Sequence, residues 1–301
     1  PGSMIDVAFR SGEISALVTA ARLAGLESAL DAPDANLTVL APTNEAWALL
    51  QGQFGFRSIQ AMLEALQAAN VLEPILRYHV LPTRVSKAEL LAAPTQDTLL
   101  VQNGNTIALP LATANNETRI TDTIGRFAVV NLFDIPADNG VFHVIDRVLI
   151  PTAVLTVLQT VQSNPERFRQ LVNAAASVPT PSGSTTNAVI AALSGPAVTL
   201  FAPVNAAFQT PAVVALLATP LTPAQLTTLL LYHALDSVVP SGAIPFGAPV
   251  ATLAGQNLTI NAGTPPTIDD TTTTDANITT VDILATNGVV HVIDKVLLPT
   301  L

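Results

Sequence analysis

An α+β fold in two consecutive, similar domains is what this sequence predicts, on three observations. The first is length. At 301 residues the chain exceeds what one typical hydrophobic core supports and suits two domains of about 150 residues each. The second is an internal duplication that spans the chain. The third is that apolar stretches of helical period and apolar stretches of strand period occur together in each copy, separated by turn signals. Apolar residues make up 49% of the chain, enough to fill two cores, but aromatics are only 4%, so Ala, Val and Leu must do most of the filling.

The duplication is read from three segments. Leu40-Ala41-Pro42-Thr43-Asn44-Glu45-Ala46-Trp47 returns as Phe201-Ala202-Pro203-Val204-Asn205-Ala206-Ala207-Phe208, an offset of 161. Leu76-Arg77-Tyr78-His79 returns as Leu230-Leu231-Tyr232-His233, an offset of 154. Asn139-Gly140-Val141-Phe142-His143-Val144-Ile145-Asp146 returns as Asn287-Gly288-Val289-Val290-His291-Val292-Ile293-Asp294, an offset of 148. All four histidines and both tyrosines fall at equivalent positions. The falling offset means that loops vary in length while elements persist. An early insertion in the second copy lies at Pro179-Thr180-Pro181-Ser182-Gly183-Ser184-Thr185-Thr186. The domains are placed at residues 4–151 and 152–301, with residues 1–3 set aside as a cloning remnant.

Taken in order, Met4–Ala8 pairs with Thr156–Thr160 at the start of each copy, and the helix-like stretch Ile14–Leu23 pairs with Phe168–Val178. Thr38–Pro42 reads as a short buried strand, and Asn44 stands where the next helix begins. Because Thr43 becomes Val204 while Asn44 persists as Asn205, the asparagine is expected to be the shared N-cap. Thr222-Pro223-Ala224-Gln225 has the form of a capping box with Pro at the first helical position. Leu226, Leu229 and Leu230 then form the apolar stripe of that helix, and His233 falls next on it. In the first copy Leu72, Ile75 and Leu76 lead to His79 in the same way. Asn139-Gly140 and Asn287-Gly288 are tight-turn signals, each opening a hairpin strand. Alternation puts His143 on one face with Val141 and Ile145, and Asp146 on the other with Phe142 and Val148. Both faces are apolar, so this strand is expected between two layers.

Three boxes in this order, each present twice, resemble the signatures of the fasciclin domain family: an Ala-Pro-x-Asn core, a Tyr-His motif, and Asn-Gly-Val-x-His-Val-Ile-Asp. The resemblance covers essentially the whole chain. It implies that each domain is a seven-stranded β-wedge or sandwich packed with several short helices, and that the protein acts in adhesion or matrix association outside the cytoplasm. It also implies candidate partner-binding residues. These are the Asp-Ile pairs Asp134-Ile135 and Asp282-Ile283, and the Tyr-His pairs Tyr78-His79 and Tyr232-His233. Asn44, Asn205, His143, Asp146, His291 and Asp294 are its structural motif residues. The first copy departs from the pattern, with Phe133-Asp134-Ile135-Pro136-Ala137-Asp138 ahead of its second box.

Each candidate has a plainer reading. The Tyr-His pairs also suit a helix end packed on the core, where a histidine on an apolar stripe hydrogen-bonds inward. An Asp before a turn is ordinary loop chemistry. Asp269, Asp270 and Asp275 offer carboxylates in a Thr-rich stretch, but their spacing is not that of a calcium loop, and a solvated loop is expected. His79 and His143 together would be half a metal site with no third ligand. No metal and no cofactor are expected.

Composition narrows the function. A formal charge of −10 repels phosphate backbones and anionic membranes, so nucleic acid is not an expected partner. No uninterrupted apolar run reaches the roughly 20 residues of a transmembrane helix, since Ser194, Gly195 and Pro196 break the longest candidate. Cysteine is absent, which removes disulfides and thiol chemistry. No nucleophile stands beside a tuned base, so the chain is expected not to be an enzyme. The expected role is a secreted or cell-surface adhesion protein recognising a cell-surface or matrix protein or glycan, any signal or lipid anchor having been cut away ahead of Pro1. Its alternatives are a self-associating component of a biofilm or cell envelope, and a carrier of small apolar ligands between wedge and helices.

Overall fold

In the computed structural model, which describes residues 2–301, the chain divides into two compact units after Val154. We call them domain 1 and domain 2.

Domain 1 begins with three helices, α1 (Met4–Arg10), α2 (Ser15–Leu23) and α3 (Glu27–Asp31), followed by strand β1 (Leu37–Pro42). Three more helices, α4 (Asn44–Gln53), α5 (Ile59–Ala68) and α6 (Leu72–Tyr78), lead to β2 (Val80–Leu81) and α7 (Lys87–Ala92). The rest is β: β3 (Thr95–Gln102), β4 (Asn105–Ala114), β5 (Glu117–Thr121), β6 (Phe127–Ala137) and β7 (Gly140–Ile145). These form a seven-stranded sheet in the order β2-β1-β7-β6-β5-β4-β3. β1 lies parallel to β7, Leu40 opposite His143, and all other neighbours are antiparallel. The far strand β3 folds back against β2 and α6, which gives the sheet its wedge form.

Domain 2 repeats the plan with α8 (Val157–Gln162), α9 (Pro165–Ser177), α10 (Ala188–Leu193), β8 (Val198–Pro203), a 3-10 turn (Asn205–Gln209), α11 (Pro211–Leu217), α12 (Pro223–Leu231) and β9 (Ala234–Leu235). A second 3-10 turn (Ser241–Ala243) precedes β10 (Pro249–Ala251), β11 (Asn257–Asn261), β12 (Thr267–Asp269), β13 (Ala276–Ala285) and β14 (Gly288–Ile293). Its sheet order, β10-β11-β12-β13-β14-β8-β9, is that of domain 1. The expected α+β class is therefore what each domain shows. Every residue of β7 and β14 is buried, as apolar alternation on both faces requires.

One local expectation holds, and the structure adds capping boxes that were not expected. Thr222 and Gln225 form a reciprocal capping box with Pro223 at the first helical position of α12. Thr156 and Gln159 do the same for α8, and Ser3 with Asp6 for α1.

The assignment of Asn44 as a cap of its own helix is corrected. Thr43 caps α4, its hydroxyl accepting from Ala46 N–H. The Asn44 amide instead enters the start of α2, accepting from Ala16 N–H at 2.8 Å and donating to Gly12 C=O at 2.9 Å. Asn205 does the same in α9, accepting from Gln170 N–H and donating to Glu166 C=O. In both copies one amide bridges a carbonyl and the N–H four residues on, satisfying groups that otherwise pair with each other. The asparagine persists because it clamps a distant helix, a partnership that local sequence does not display.

The turn glycines also act differently from expectation. The hairpin turn of domain 1 is Asp138-Asn139, and Gly140 is already in β7, opposite Ala137. What requires glycine there is space: a Cβ would stand 2.5 Å from Leu37 O, and at Gly288 1.8 Å from Val198 O. The preceding asparagines are anchors. Asn139 accepts from Met4 N–H and donates to Leu30 and Ala32 C=O, and Asn287 accepts from Val157 N–H and donates to Leu193 and Gly195 C=O. Asp146 and Asp294 clip the start of the neighbouring strand by accepting from Val129 and Asn277 N–H.

Candidate functional site

The Asp-Ile pairs lie on bulges in β6 and β13. The register between β6 and β7 slips twice, between Val130 and Leu132 and again between Leu132 and Ile135. That between β13 and β14 slips between Ile278 and Thr280 and between Thr280 and Ile283. Extra residues in one strand of a pair leave backbone groups without ladder partners, and other groups must satisfy them. Asp134 and Asp282 take left-handed backbone conformations at the bulge, with φ of 57° and 59°, which Asp tolerates better than most residues.

The strand histidines hold these bulges. Asp134 N–H donates to His143 Nδ1 at 3.2 Å, and His143 Nε2–H donates to Val85 C=O at 2.8 Å. Asp282 N–H donates to His291 Nδ1 at 3.3 Å, and His291 Nε2–H donates to Val239 C=O at 2.8 Å. These partners assign the neutral Nε2–H tautomer to both rings. Burial lowers the pKa of both histidines, which keeps them neutral. The aspartate side chains complete the tie. Asp134 Oδ1 accepts from Lys87 N–H at the start of α7, while Asp282 accepts from Ser241 N–H and Ser241 O–H at the second 3-10 turn.

With the carboxylates so engaged, the bulges turn apolar side chains outward. Leu132 is 48% exposed in domain 1, and Val281 and Leu284 are 39% and 42% exposed in domain 2. Phe133 is half-buried, with the Lys87 ammonium 4.5 Å above its ring. The two isoleucines differ: Ile135 is half-buried, whereas Ile283 is buried and joins the core of domain 2. Ile283 therefore offers a partner no surface.

The Tyr-His pairs are also enclosed. Tyr78, His79, Tyr232 and His233 are each at most 1% exposed, so a partner meets none of them while the domains are folded. His79 Nδ1–H donates to Ile75 C=O, and its Nε2 accepts from Leu149 N–H at 2.9 Å. His233 bonds Leu229 C=O and Leu297 N–H in the same way. Each ring thus staples a helix end to the segment after the last strand. Burial depresses both pKa values to about 4. The tyrosine rings fill the space under the sheet, Tyr232 O–H donating to Asn257 C=O. The pairing of His79 with His143 as half a metal site does not form, because both ring nitrogens of each histidine engage backbone groups. Among the described residues no cluster of three or more His, Cys, Asp or Glu is placed to hold a metal.

A buried ion pair in each domain went unread in the sequence. Asp122 accepts from Arg126 Nε and Nη2 and from Ile150 N–H, and both side chains of the pair are at most 1% exposed. In domain 2, Asp270 accepts from Lys295 Nζ at 2.8 Å, from Leu298 N–H and from Thr272. This corrects the solvated loop expected around Asp270, whose side chain is wholly enclosed. The spacing from Asp122 to Asp270 equals the 148-residue offset of the last box, a signal that would have revealed the pair. Burial by itself would raise the Asp270 pKa, but hydrogen bonds from Lys295, Thr272 and Leu298 outweigh it and hold the carboxyl below its usual value.

Comparison with known proteins places both copies. The sequence model of the fasciclin domain matches residues 12–151 and 166–299. The transforming growth factor-beta-induced protein ig-h3 of Sus scrofa is 31% identical over 273 residues, 88% of this chain but only 35% of that protein. Protein sll1483 of a Synechocystis strain is 31% identical over 149 residues, covering 50% of this chain and 73% of the relative. Among solved structures, the FAS1 domain pair of the insect cell adhesion molecule fasciclin I aligns over 94% of this chain at 21% identity, with a TM-score of 0.43. Among the described residues no helix is long and apolar enough to cross a membrane.

Proposed function

The chain belongs to the fasciclin domain family, and from that premise we propose that it is a non-enzymatic adhesion or matrix-binding protein, secreted or held at the cell surface, that recognises a protein or glycan through the bulges at Asp134 and Asp282. The observation that supports this reading most is the construction of the bulges. Each is tied by one histidine and one aspartate to two neighbouring elements, and each presents apolar side chains to solvent. A preorganised surface of this kind loses little entropy on binding. Carrying it twice on one chain raises the effective concentration of the second site once the first is engaged.

The test is adhesion of beads coated with the full chain to source cells and to matrix. The aspartates and histidines are poor targets, because removing them dismantles the bulge. Leu132→Glu combined with Leu284→Glu changes only exposed side chains. The expected outcome is loss of adhesion in the double variant, partial loss in each single variant, and an unchanged unfolding midpoint. Adhesion that survives in the double variant would reject the bulges as the contact surface. Beads that clump with one another and ignore cells would point to self-association instead.

A further inference from the structure

The helical layer differs between the domains, and the difference opens a cleft. From Asn44 to His79 domain 1 spans seven more residues than domain 2 does from Asn205 to His233. Where domain 1 builds the ten-residue helices α4 and α5, domain 2 has a five-residue 3-10 turn and the seven-residue α11. In domain 1 the space between α2 and α6 is filled by Trp47 of α4 and by Met62 and Leu63 of α5, all fully buried. In domain 2 Phe208 stands at the position of Trp47 and is only half-buried, and α11 buries a single smaller side chain, Val213, where α5 buries Met62 and Leu63. The result is a cleft of about 310 Å³ between α9, α11 and α12, lined by Leu171, Ala174, Phe208, Val213, Leu226 and Leu229. The gap beside His79 in domain 1 is about 70 Å³ and is bordered by Arg77.

We propose that domain 2 binds a neutral, mainly apolar small molecule in this cleft, in the space where domain 1 places its own Trp47, Met62 and Leu63.

The volume reaches the lower end of the roughly 300–1,000 Å³ that small-molecule sites occupy; in domain 1 the gap beside His79 falls far short of it, and the groove of about 390 Å³ on the outer side of α2 is lined by Arg22, Ser15, Thr19, Asn44 and Gln60 and so lacks the apolar, uncharged wall. Water in such a cleft finds few hydrogen-bond partners, so its displacement by an apolar body is favourable. Charge decides the class of ligand. No Asp, Glu, Lys or Arg is among the residues that line the cleft, and His233 at its floor is neutral with both nitrogens engaged. A carboxylate or ammonium entering there would lose its hydration without a counter-ion. At one side Gln170, Asn173 and Ser177 follow each other along α9 and offer uncharged amides and a hydroxyl, suited to a single alcohol or carbonyl group. The exposed Val214 and Leu217 of α11 extend the apolar surface around the cleft.

The experiment is a fluorescence titration of the full chain with N-phenyl-1-naphthylamine, a neutral apolar dye, followed by competition with 1-decanol and, at pH 8, with decanoate. The expected results are saturable binding of one dye per chain, displacement by decanol, and at least tenfold weaker displacement by decanoate. Phe208→Trp restores the residue that domain 1 carries there, and Ala174→Phe fills the cleft from α9; both are expected to weaken dye binding at least tenfold, with an equal or higher unfolding midpoint. If Ala174→Phe fails to fold, Phe208→Trp carries the test, together with dye-induced methyl NMR shifts at Val213 and Leu229. No saturable binding, two dyes per chain, equal displacement by decanoate, or an unchanged affinity in the folded filling variants would each overturn the proposal.

Discussion

The two domains place a buried carboxylate at the same point of the fold and neutralise it from different directions. In domain 1 the cation of Asp122 is Arg126, four residues on in the turn before β6. In domain 2 the cation of Asp270 is Lys295, which comes from the segment after β14 at the position equivalent to Arg147. Both carboxylates accept the backbone N–H of the same segment, from Ile150 and Leu298. The shared requirement is therefore an acceptor that ties the C-terminal segment under the sheet. A buried carboxylate needs a counter-charge, but any residue that can reach it will serve. The anion is retained in both copies and its partner is free to move.

That comparison is broken most severely by removing one member of a pair. Asp122→Ala strands the Arg126 guanidinium, and Lys295→Met strands the Asp270 carboxylate; each is expected to destabilise its own domain by about 3–5 kcal/mol. Urea unfolding separates the two, because Trp47 is the only tryptophan and reports domain 1 alone. An Asp122→Ala variant whose tryptophan transition does not move would show that the pair is dispensable.

Acid is the next largest lever, and through the core histidines it is expected to act on both domains alike. His79 and His233 have folded pKa values of about 4, against an ordinary value of 6.5. Between these values the unfolded chain binds more protons than the folded one, so stability falls as the pH is lowered through this window. The loss is on the order of 3 kcal/mol per domain by pH 4. Burial shifts His143 and His291 in the same direction and adds to the effect. The depressed carboxyl of Asp270 extends the loss in domain 2 to lower pH, below the ordinary aspartate range. Unfolding midpoints measured from pH 7.5 to 3.5 check the sign, and His79→Gln is expected to flatten the profile of domain 1 alone.

A finer comparison concerns the strand glycines. An added methyl at Gly140 or Gly288 meets a carbonyl oxygen of the parallel neighbour, and each Ala variant is expected to cost about 1–3 kcal/mol. Val198 O is the nearer of the two oxygens, so Gly288→Ala is expected to be the worse. Unfolding midpoints of the two variants would rank them. The smallest effect is at the helix start after the first strand. Thr43→Ala removes the cap of α4 and is expected to cost about 1 kcal/mol. The equivalent Val204 makes no side-chain cap, and its replacement by Ala is expected to leave domain 2 without that loss.

Much of the fold was legible because the features that mark it are local or repeated. The capping box at Thr222, the buried strands β7 and β14, and the apolar stripe ending in His79 or His233 are all written in short-range spacing. The burial of the Tyr-His pairs was readable as one of two alternatives, since residues on an apolar stripe face the core. The bulges were not readable as bulges, because a slip in register is a property of two strands, and one strand's sequence does not contain it. The role of Asn44 and Asn205 was misread for the same reason: their partners are 28 to 40 residues away, on helices that approach only when the domain closes.

The sequence by itself determined that there are two domains, that both are α+β and of the fasciclin family, and which residues recur in them. It did so because a duplication preserves spacing, and because apolar periodicity is a local record of which face is buried. Only the tertiary structure decided what the recurring polar residues do, which cation meets each carboxylate, and that a seven-residue shortening leaves a cleft in one domain where the other has a tryptophan. Those outcomes depend on which distant groups arrive at one point in space, and a hydrogen bond or a void is set by that arrival.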